Sequence, residues 1–166
     1  MVEYFRENCT DITDKDQVAD YIKKIYRKEG GDGTGLVYGV GHAVYTLSDP
    51  RAEILRKKAT EFATGTEFED ELKLLNHIAD LAPGLFKEVT GKDKPMCINI
   101  DLYSGFIYKM LRIPEDIFTP LFATARLAGW CAHRMEELYT GGRIIRPAYK
   151  SLSSHTAYTS IADRAD

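Results

Sequence analysis

The chain has 166 residues, 44% of them hydrophobic, with 22 basic against 25 acidic side chains and a formal net charge of −3. That is enough for one good core, and the balance of charge leaves no field to gather nucleic-acid phosphates. No apolar run approaches the roughly 20 residues that span a bilayer, and the opening MVEYFRENCTD lacks the basic start and apolar middle of a signal peptide. The expectation is a soluble cytoplasmic protein with neither a membrane nor a nucleic acid as partner.

In chain order, Val18, Tyr21, Ile22 and Ile25 recur at helical spacing, and Thr13 with Asp16 three residues on resembles a capping box, so a first helix is expected over 13–26. Gly30, Gly31 and Gly33 end it in a loop or hinge. The segment LVYGVGHAVY, 36–45, is too short for an ordinary helix and too rich in glycine for a secure strand, and reads as irregular to extended. Asp49 followed by Pro50 starts a second helix that should reach Phe62. Thr66 and Glu69 start a third, with Leu72, Leu75, Ile78 and Ala79 as its stripe and an end near Leu81. Pro83 should then open a separate short helix, closed by Gly91. Asp101 precedes a helix whose buried face is expected at Phe106, Ile107, Met110 and Leu111, ended by Pro114. A last helix should run from about 114–118 to Gly141. Helix after helix with no repeated strand pattern predicts an all-α fold. The cysteines Cys9, Cys97 and Cys131 are odd in number and widely spaced, and read as free thiols.

Several side chains could carry chemistry. His42 lies in Gly39-Val40-Gly41-His42, where the glycines leave its ring uncrowded and able to donate to a substrate carbonyl; the alternative is a turn histidine satisfied by a neighbouring backbone carbonyl. Asp101 sits among Ile98, Ile100, Leu102 and Tyr103, where desolvation would raise its pKa toward that of a general base; it could equally be a helix N-cap, and both can hold. Arg126 lies in an apolar helical stretch between Phe122 and Trp130, so its guanidinium needs an anion, either a ligand carboxylate or an internal acid. Arg51, near a helix start, meets an unfavourable dipole unless an anion is close. Arg146 also stands out in its setting. His77, His133 and His155 have no histidine or cysteine three or four residues away, so no metal site is expected.

Together these segments resemble citrate synthase. Gly39 to Ala52, G-V-G-H-A-V-Y-T-L-S-D-P-R-A, resembles the family's G-x-G-H-x-V-Y and D-P-R signature. Asn99 to Gly105, N-I-D-L-Y-S-G, resembles N-x-D-x-x-S-G, and Phe122 to Trp130, F-A-T-A-R-L-A-G-W, resembles F-x-x-A-R-x-x-G-W. Arg146-Pro147 matches a late R-P. Four matches in order cover nearly the whole chain.

The resemblance implies the multi-helical small domain of a citrate synthase-like fold, with part of the large-domain C-terminus. It implies a leading helix and glycine-rich hinge over 1–35, the small domain with its catalytic segments over 36–140, and a C-terminal loop and tail over 141–166 that contributes Arg146. The implied reaction condenses acetyl-CoA with oxaloacetate and water to citrate and CoA, with acetyl-CoA as co-substrate and no permanently bound cofactor. Asp101 would remove the methyl proton, and His42 would hydrogen-bond the oxaloacetate carbonyl. Arg51, Arg126 and, from a neighbouring subunit, Arg146 would hold carboxylates, and Phe122 would wall the site. The backbone of Val37, Tyr38, Gly39, Val40 and Gly41, with Asn99, would lie near CoA. The implied assembly is a homo-oligomer, a dimer or a multiple of dimers. Ala43 and Thr46 stand where some members carry basic residues. The family's further catalytic histidine belongs to an H-G-x-A-N segment that the 166 residues do not contain, so the chain by itself is expected to be an inactive portion of a longer enzyme. Two other readings stay open: 2-methylcitrate synthase acting on propanoyl-CoA, and a non-catalytic CoA-binding or oligomerisation module.

Overall fold

The computed structural model describes residues 1–141, 154 and 156–164. Among them are six α-helices and no strand: α1 Val2–Asn8, α2 Lys15–Tyr26, α3 Pro50–Ala63, α4 Glu69–Thr90, α5 Asp101–Met110 and α6 Phe118–Thr140. The all-α expectation therefore holds. Contacts divide the chain into two compact units, Met1–Phe122 and Ala123–Asp166.

The core belongs to the first unit. Val18, Tyr21, Ile22 and Ile25 of α2 are buried at the spacing the sequence carries, together with Leu72, Leu74, Leu75 and Ile78 of α4. Helix α3 turns its small residues Ala52, Ala59 and Ala63 inward. From α5 come Leu102, Tyr103, Phe106 and Ile107. Each large side chain so buried contributes roughly 1.5–3 kcal/mol. The fully buried Tyr103 hydroxyl finds its partner in Asn76 Oδ1 at 2.8 Å. Glu71 is nearly buried, and Arg6 at 2.8 Å and Lys109 at 2.5 Å bracket its carboxylate.

Four local expectations are corrected. The seven-residue α1 has too few turns to show periodicity, yet it forms because Phe5 packs edge-on against Tyr21, ring centres 4.9 Å apart, and is completely buried. The cap of α2 is Asp14, which accepts from the backbone N–H of Asp16 and Gln17, while Thr13 bonds back to Asp11. The chain does not break at Pro83: α4 is one helix of 22 residues through the proline, and Gly91 ends it in the left-handed conformation with φ of 68°. Its apolar stripe continues beyond Pro83 as Leu85, Phe86 and Val89 packed on the core, and Phe86 meets Tyr26 edge-on at 5.3 Å. Burial on both sides outweighs the ~3 kcal/mol that an interior proline costs. Finally, the buried face of α5 is rotated toward its start, so that Leu111 is exposed and Leu102 and Tyr103 are covered.

Pro114 leads into a 3-10 turn, Glu115–Ile117, and α6 follows it as expected. Cys9 and Cys97 are buried and Cys131 is exposed, all as free thiols.

Candidate active site

Two loops distant in sequence meet on the first turn of α5. Val40 and Ile98 form an isolated antiparallel bridge. Gly41 N–H donates to the Cys97 carbonyl at 2.7 Å, and Asn99 N–H donates to the Gly39 carbonyl at 2.9 Å. Segment 36–45 is thus irregular with one extended contact, as its glycine content predicts. Gly39 has φ of 87°, and a Cβ there would stand 2.7 Å from Leu102 Cα. Only glycine allows the loop to lie this close to the helix. Ahead of it Val37 is buried, and the half-exposed Tyr38 donates its hydroxyl to Asp32 at 2.5 Å. Asp32 also accepts from Thr34, and these bonds, Thr34's hydroxyl first, hold its carboxyl down at about 2.

Beyond Gly41 the chain folds back so that His42 Nδ1 accepts from the backbone N–H of Val44, at 2.9 Å, and of Tyr45, at 3.0 Å. Two backbone N–H groups directed at Nδ1 favour the tautomer that carries its proton on Nε2, against the one Arg51 N–H that lies near Nε2. That nitrogen lies 3.2 Å from Arg51 Nη2. With both groups as donors, the partner they can share is an oxygen that carries negative charge. By its Nδ1, His42 is the turn histidine that was one of the two alternatives drawn from sequence, and in this tautomer its Nε2 is left as a donor.

Arg51 has the anion that its position requires. Asp49, fully buried, caps α3 by accepting from Arg51 N–H at 3.0 Å, and it also receives Arg51 Nε at 2.9 Å and Nη2 at 2.8 Å. The guanidinium beside it, acting against burial, holds the Asp49 carboxyl at about 2. Arg51 is raised in turn, first by Asp49 and further by Tyr45 and Asp101, so the Asp101 carboxylate lies within its field. Tyr45 stacks under the guanidinium at 5.5 Å. One edge of Arg51 is thus locked by a buried carboxylate while the side chain stays nearly half exposed.

Asp101 opens α5 but does not cap it. Ile100 is the N-cap residue, and the Asp101 N–H is taken by Asn99 Oδ1 at 2.8 Å. The expected desolvation is not supplied by the described residues: the apolar neighbours Ile98 and Leu102 point into the core, and Asp101, out of phase with them, is exposed. Asp101 lines a cavity of about 420 Å3, together with Ser104 and Tyr108 of α5 and with Phe118, Thr119 and Phe122. Asp101, Ser104 and Tyr108 share that wall because residues three and seven positions apart lie on one helix face.

The structure thus brings His42, Arg51, the 37–41 backbone, Asn99 and Asp101 together, with Phe122 on the Asp101 cavity. Arg126 is exposed on α6, a helix with no buried residue, which corrects the covered setting expected from its apolar neighbours. Arg146 lies outside the described residues. Ala43 and Thr46 are exposed. Among the described residues no group of three or more histidine, cysteine or acidic side chains is placed to hold a metal. Nor is any described helix long and apolar enough to cross a membrane. Sequence reading passed over the cavity walls Ser104, Tyr108, Phe118 and Thr119, and it took Asp49 only as a cap. The signal for Asp49 was present, since an N-cap acid two residues before an arginine can hold it through both backbone and side chain.

Comparison with known proteins gives the family and the fold. The family model for the citrate synthase C-terminal domain matches residues 3–148. The citrate synthase of Synechocystis sp. is 36% identical over 129 residues, 77% of this chain and 31% of that protein. That of Corynebacterium glutamicum is 38% identical over 129 residues, 77% of this chain and 28% of that protein. The chain therefore spans about a third of the length of the curated relatives it matches. Among solved structures, the Thermotoga maritima citrate synthase superposes with a TM-score of 0.61 at 29% identity, covering 99% of this chain and 41% of that one. The Thermoplasma acidophilum citrate synthase, solved as a ternary complex with carboxymethyl coenzyme A and oxaloacetate, superposes with a TM-score of 0.66 at 27% identity, covering 98% and 40%. With the family model matched over most of its length and the fold reproduced, the chain belongs to the citrate synthase family.

Proposed function

We propose that the chain supplies the carbonyl-activating and proton-abstracting half of an active centre that condenses acetyl-CoA with oxaloacetate. The observation that carries this reading is the approach of His42 Nε2 and Arg51 Nη2, on a loop that residues 97–99 tie to the start of the helix bearing Asp101, whose carboxylate acts on Arg51 through its field. The Asp101 carboxylate takes a proton from the methyl group of the thioester, and the enol carbon attacks the ketone carbon of oxaloacetate. The ketone oxygen gains the negative charge, His42 Nε2–H and Arg51 stabilise it there, and it then takes up a proton to become the hydroxyl of citrate while Asp101 gives its proton up to water. Water then cleaves the thioester, giving citrate and free CoA. Arg126 and Arg146 join Arg51 on carboxylates, Arg146 in the site of a neighbouring subunit. The backbone of residues 37–41 lies along CoA, and Phe122 walls the reacting acyl group. The remaining catalytic histidine comes from the family's H-G-x-A-N segment; the working enzyme is proposed to be of family length, a cytoplasmic homo-oligomer, with acetyl-CoA consumed as co-substrate and no permanent cofactor. Support comes from family membership and, for the ligands, from the Thermoplasma acidophilum relative and its complex.

The test is release of CoA thiol from acetyl-CoA and, separately, propanoyl-CoA in the presence of oxaloacetate. It uses these 166 residues joined to the N-terminal part of the Synechocystis relative. Turnover should fall about 10²-fold or more in Asp101→Asn, with oxaloacetate binding kept. Near-normal turnover in that variant removes Asp101 as the base, and faster turnover of propanoyl-CoA changes the substrate.

A further inference from the structure

Asn99 sits between the two reactive groups, and both ends of its amide are committed. Nδ2 donates to the Gly41 carbonyl at 2.8 Å, and Oδ1 accepts from the Asp101 N–H at 2.8 Å. Only this orientation satisfies both partners, since a flipped amide would set oxygen against oxygen and N–H against N–H. The Gly41 carbonyl belongs to the peptide that leads directly into His42, and the Asp101 N–H belongs to the peptide that leads into the base. One rigid planar group thus fixes the peptide in front of each.

The backbone alone is a thin support. A single bridge, Val40 with Ile98, made by two backbone hydrogen bonds, joins the loops, well short of the pairing that makes a hairpin stable by itself. Gly41, with φ of 96°, has no side chain to resist rotation of the peptide that presents His42. The first turn of α5 has donors without partners inside the helix, and Ile100 offers no side-chain cap. Asn99 answers both deficits.

Resting on the functional reading above, we propose that Asn99 is a positioning residue that sets His42 and Asp101 in register for the condensation, acting through the Gly41 carbonyl and the Asp101 amide and not by touching CoA. Aspartate cannot replace it, because a carboxylate keeps the bond from Asp101 N–H but turns an oxygen toward the Gly41 carbonyl. Alanine loses both bonds. The two substitutions therefore separate the histidine side of the brace from the base side.

Two measurements test this. In the 166-residue chain, amide hydrogen exchange is followed at Val44 and Tyr45, which bond His42, and at Asp101. Asn99→Ala should speed exchange at all three about tenfold, and Asn99→Asp at Val44 and Tyr45 only. In the joined enzyme, assayed well below its melting temperature, both variants should lose at least about tenfold in kcat, with KM for acetyl-CoA within about threefold of the parent; misplacement of reacting groups by about 1 Å costs on the order of 10²-fold. A raised KM with kcat kept would make Asn99 a CoA ligand and overturn the proposal, as would exchange unchanged in both variants. If Asn99→Ala loses its cooperative melting, Asn99→Asp, which keeps the helix-end bond, is held to the same criteria. If the parent enzyme itself releases no thiol, the functional reading fails, and exchange alone decides whether Asn99 is the brace.

Discussion

Arg51 illustrates how one buried acid converts a surface cation into a fixed clamp. A free arginine side chain loses about 2 kcal/mol of rotamer freedom when a ligand immobilises it, and Asp49 imposes that order before any ligand arrives. The cost is borne by folding, and the pH dependence follows from it. Asp49 has its folded pKa depressed to about 2, below the ~3.9 of an unfolded chain. A depressed carboxyl stabilises the fold above its unfolded pKa, and that contribution is lost as pH falls through the folded value. Thermal melting of the 166-residue chain and of Asp49→Asn should therefore differ by a constant amount at pH 5–7, with the parent more stable. The gap should narrow between about pH 4 and pH 2. Asp32 titrates in the same window but in both proteins, so it cancels in the difference. A gap that stays constant down to pH 2 would mean that the charge of Asp49 contributes nothing and that its shape alone matters.

At the scale of elements, α4 runs through a residue that should end it. Pro83 has no N–H to give the Ala79 carbonyl, and its ring crowds the preceding turn, yet residues on both sides bury against the same core. The Tyr26 hydroxyl ties α2 to this region through the Ala82 carbonyl at 2.9 Å, and Lys23 pairs with Glu88 at 3.3 Å. Packing thus sets the helix, and the proline is tolerated within it. Pro83→Ala should then stabilise the chain by about 2 kcal/mol, the ~3 kcal/mol interior penalty less the up to ~1 kcal/mol by which proline restricts the unfolded chain. For a chain of this size the melting temperature should rise by about 4–8 °C. A fall on substitution would show that the half-buried ring packs well enough to outweigh its backbone cost.

For the whole molecule, the described residues separate a chain with a complete core from one with a complete active site. The core of Met1–Phe122 draws on every helix from α1 to α5, has no buried side-chain polar atom left unpaired, and pairs the buried Glu71 with two cations. By contrast, α6 buries nothing and exposes Leu127, Trp130, Met135 and Leu138. Apolar surface of this kind favours association. The 166-residue chain should accordingly melt in one cooperative transition and scatter light as dimers or larger species at modest concentration. It should release no CoA thiol above the level of its Asp101→Asn variant, because Asp101 is exposed and the 166 residues contain no H-G-x-A-N segment. Turnover clearly above that control would show that His42 and Asp101 suffice without a second histidine.

What the sequence determined by itself are the features written in neighbouring residues. The helical spacing of Val18, Tyr21, Ile22 and Ile25, the Asp49-Pro50 start of α3 and the Gly91 stop of α4 each depend on interactions within a turn or two, and each is found as expected. The motif around His42 and that around Asp101 were legible as well, because their unusual residue types stand in a fixed order. Tertiary structure alone decided whatever needed a partner from far along the chain. Phe5 makes a helix of α1 only against Tyr21, and α4 passes Pro83 only because the core holds both halves. Tyr103, not Leu111, is covered on α5, because the face of a short helix is chosen by what lies opposite. The same holds in the site: Asn99 meets Gly41 across 58 residues, and no local pattern could announce that bond. Short-range free energies are fixed by the residues that generate them, whereas a long-range contact exists only once the chain has been ordered to bring its two ends together.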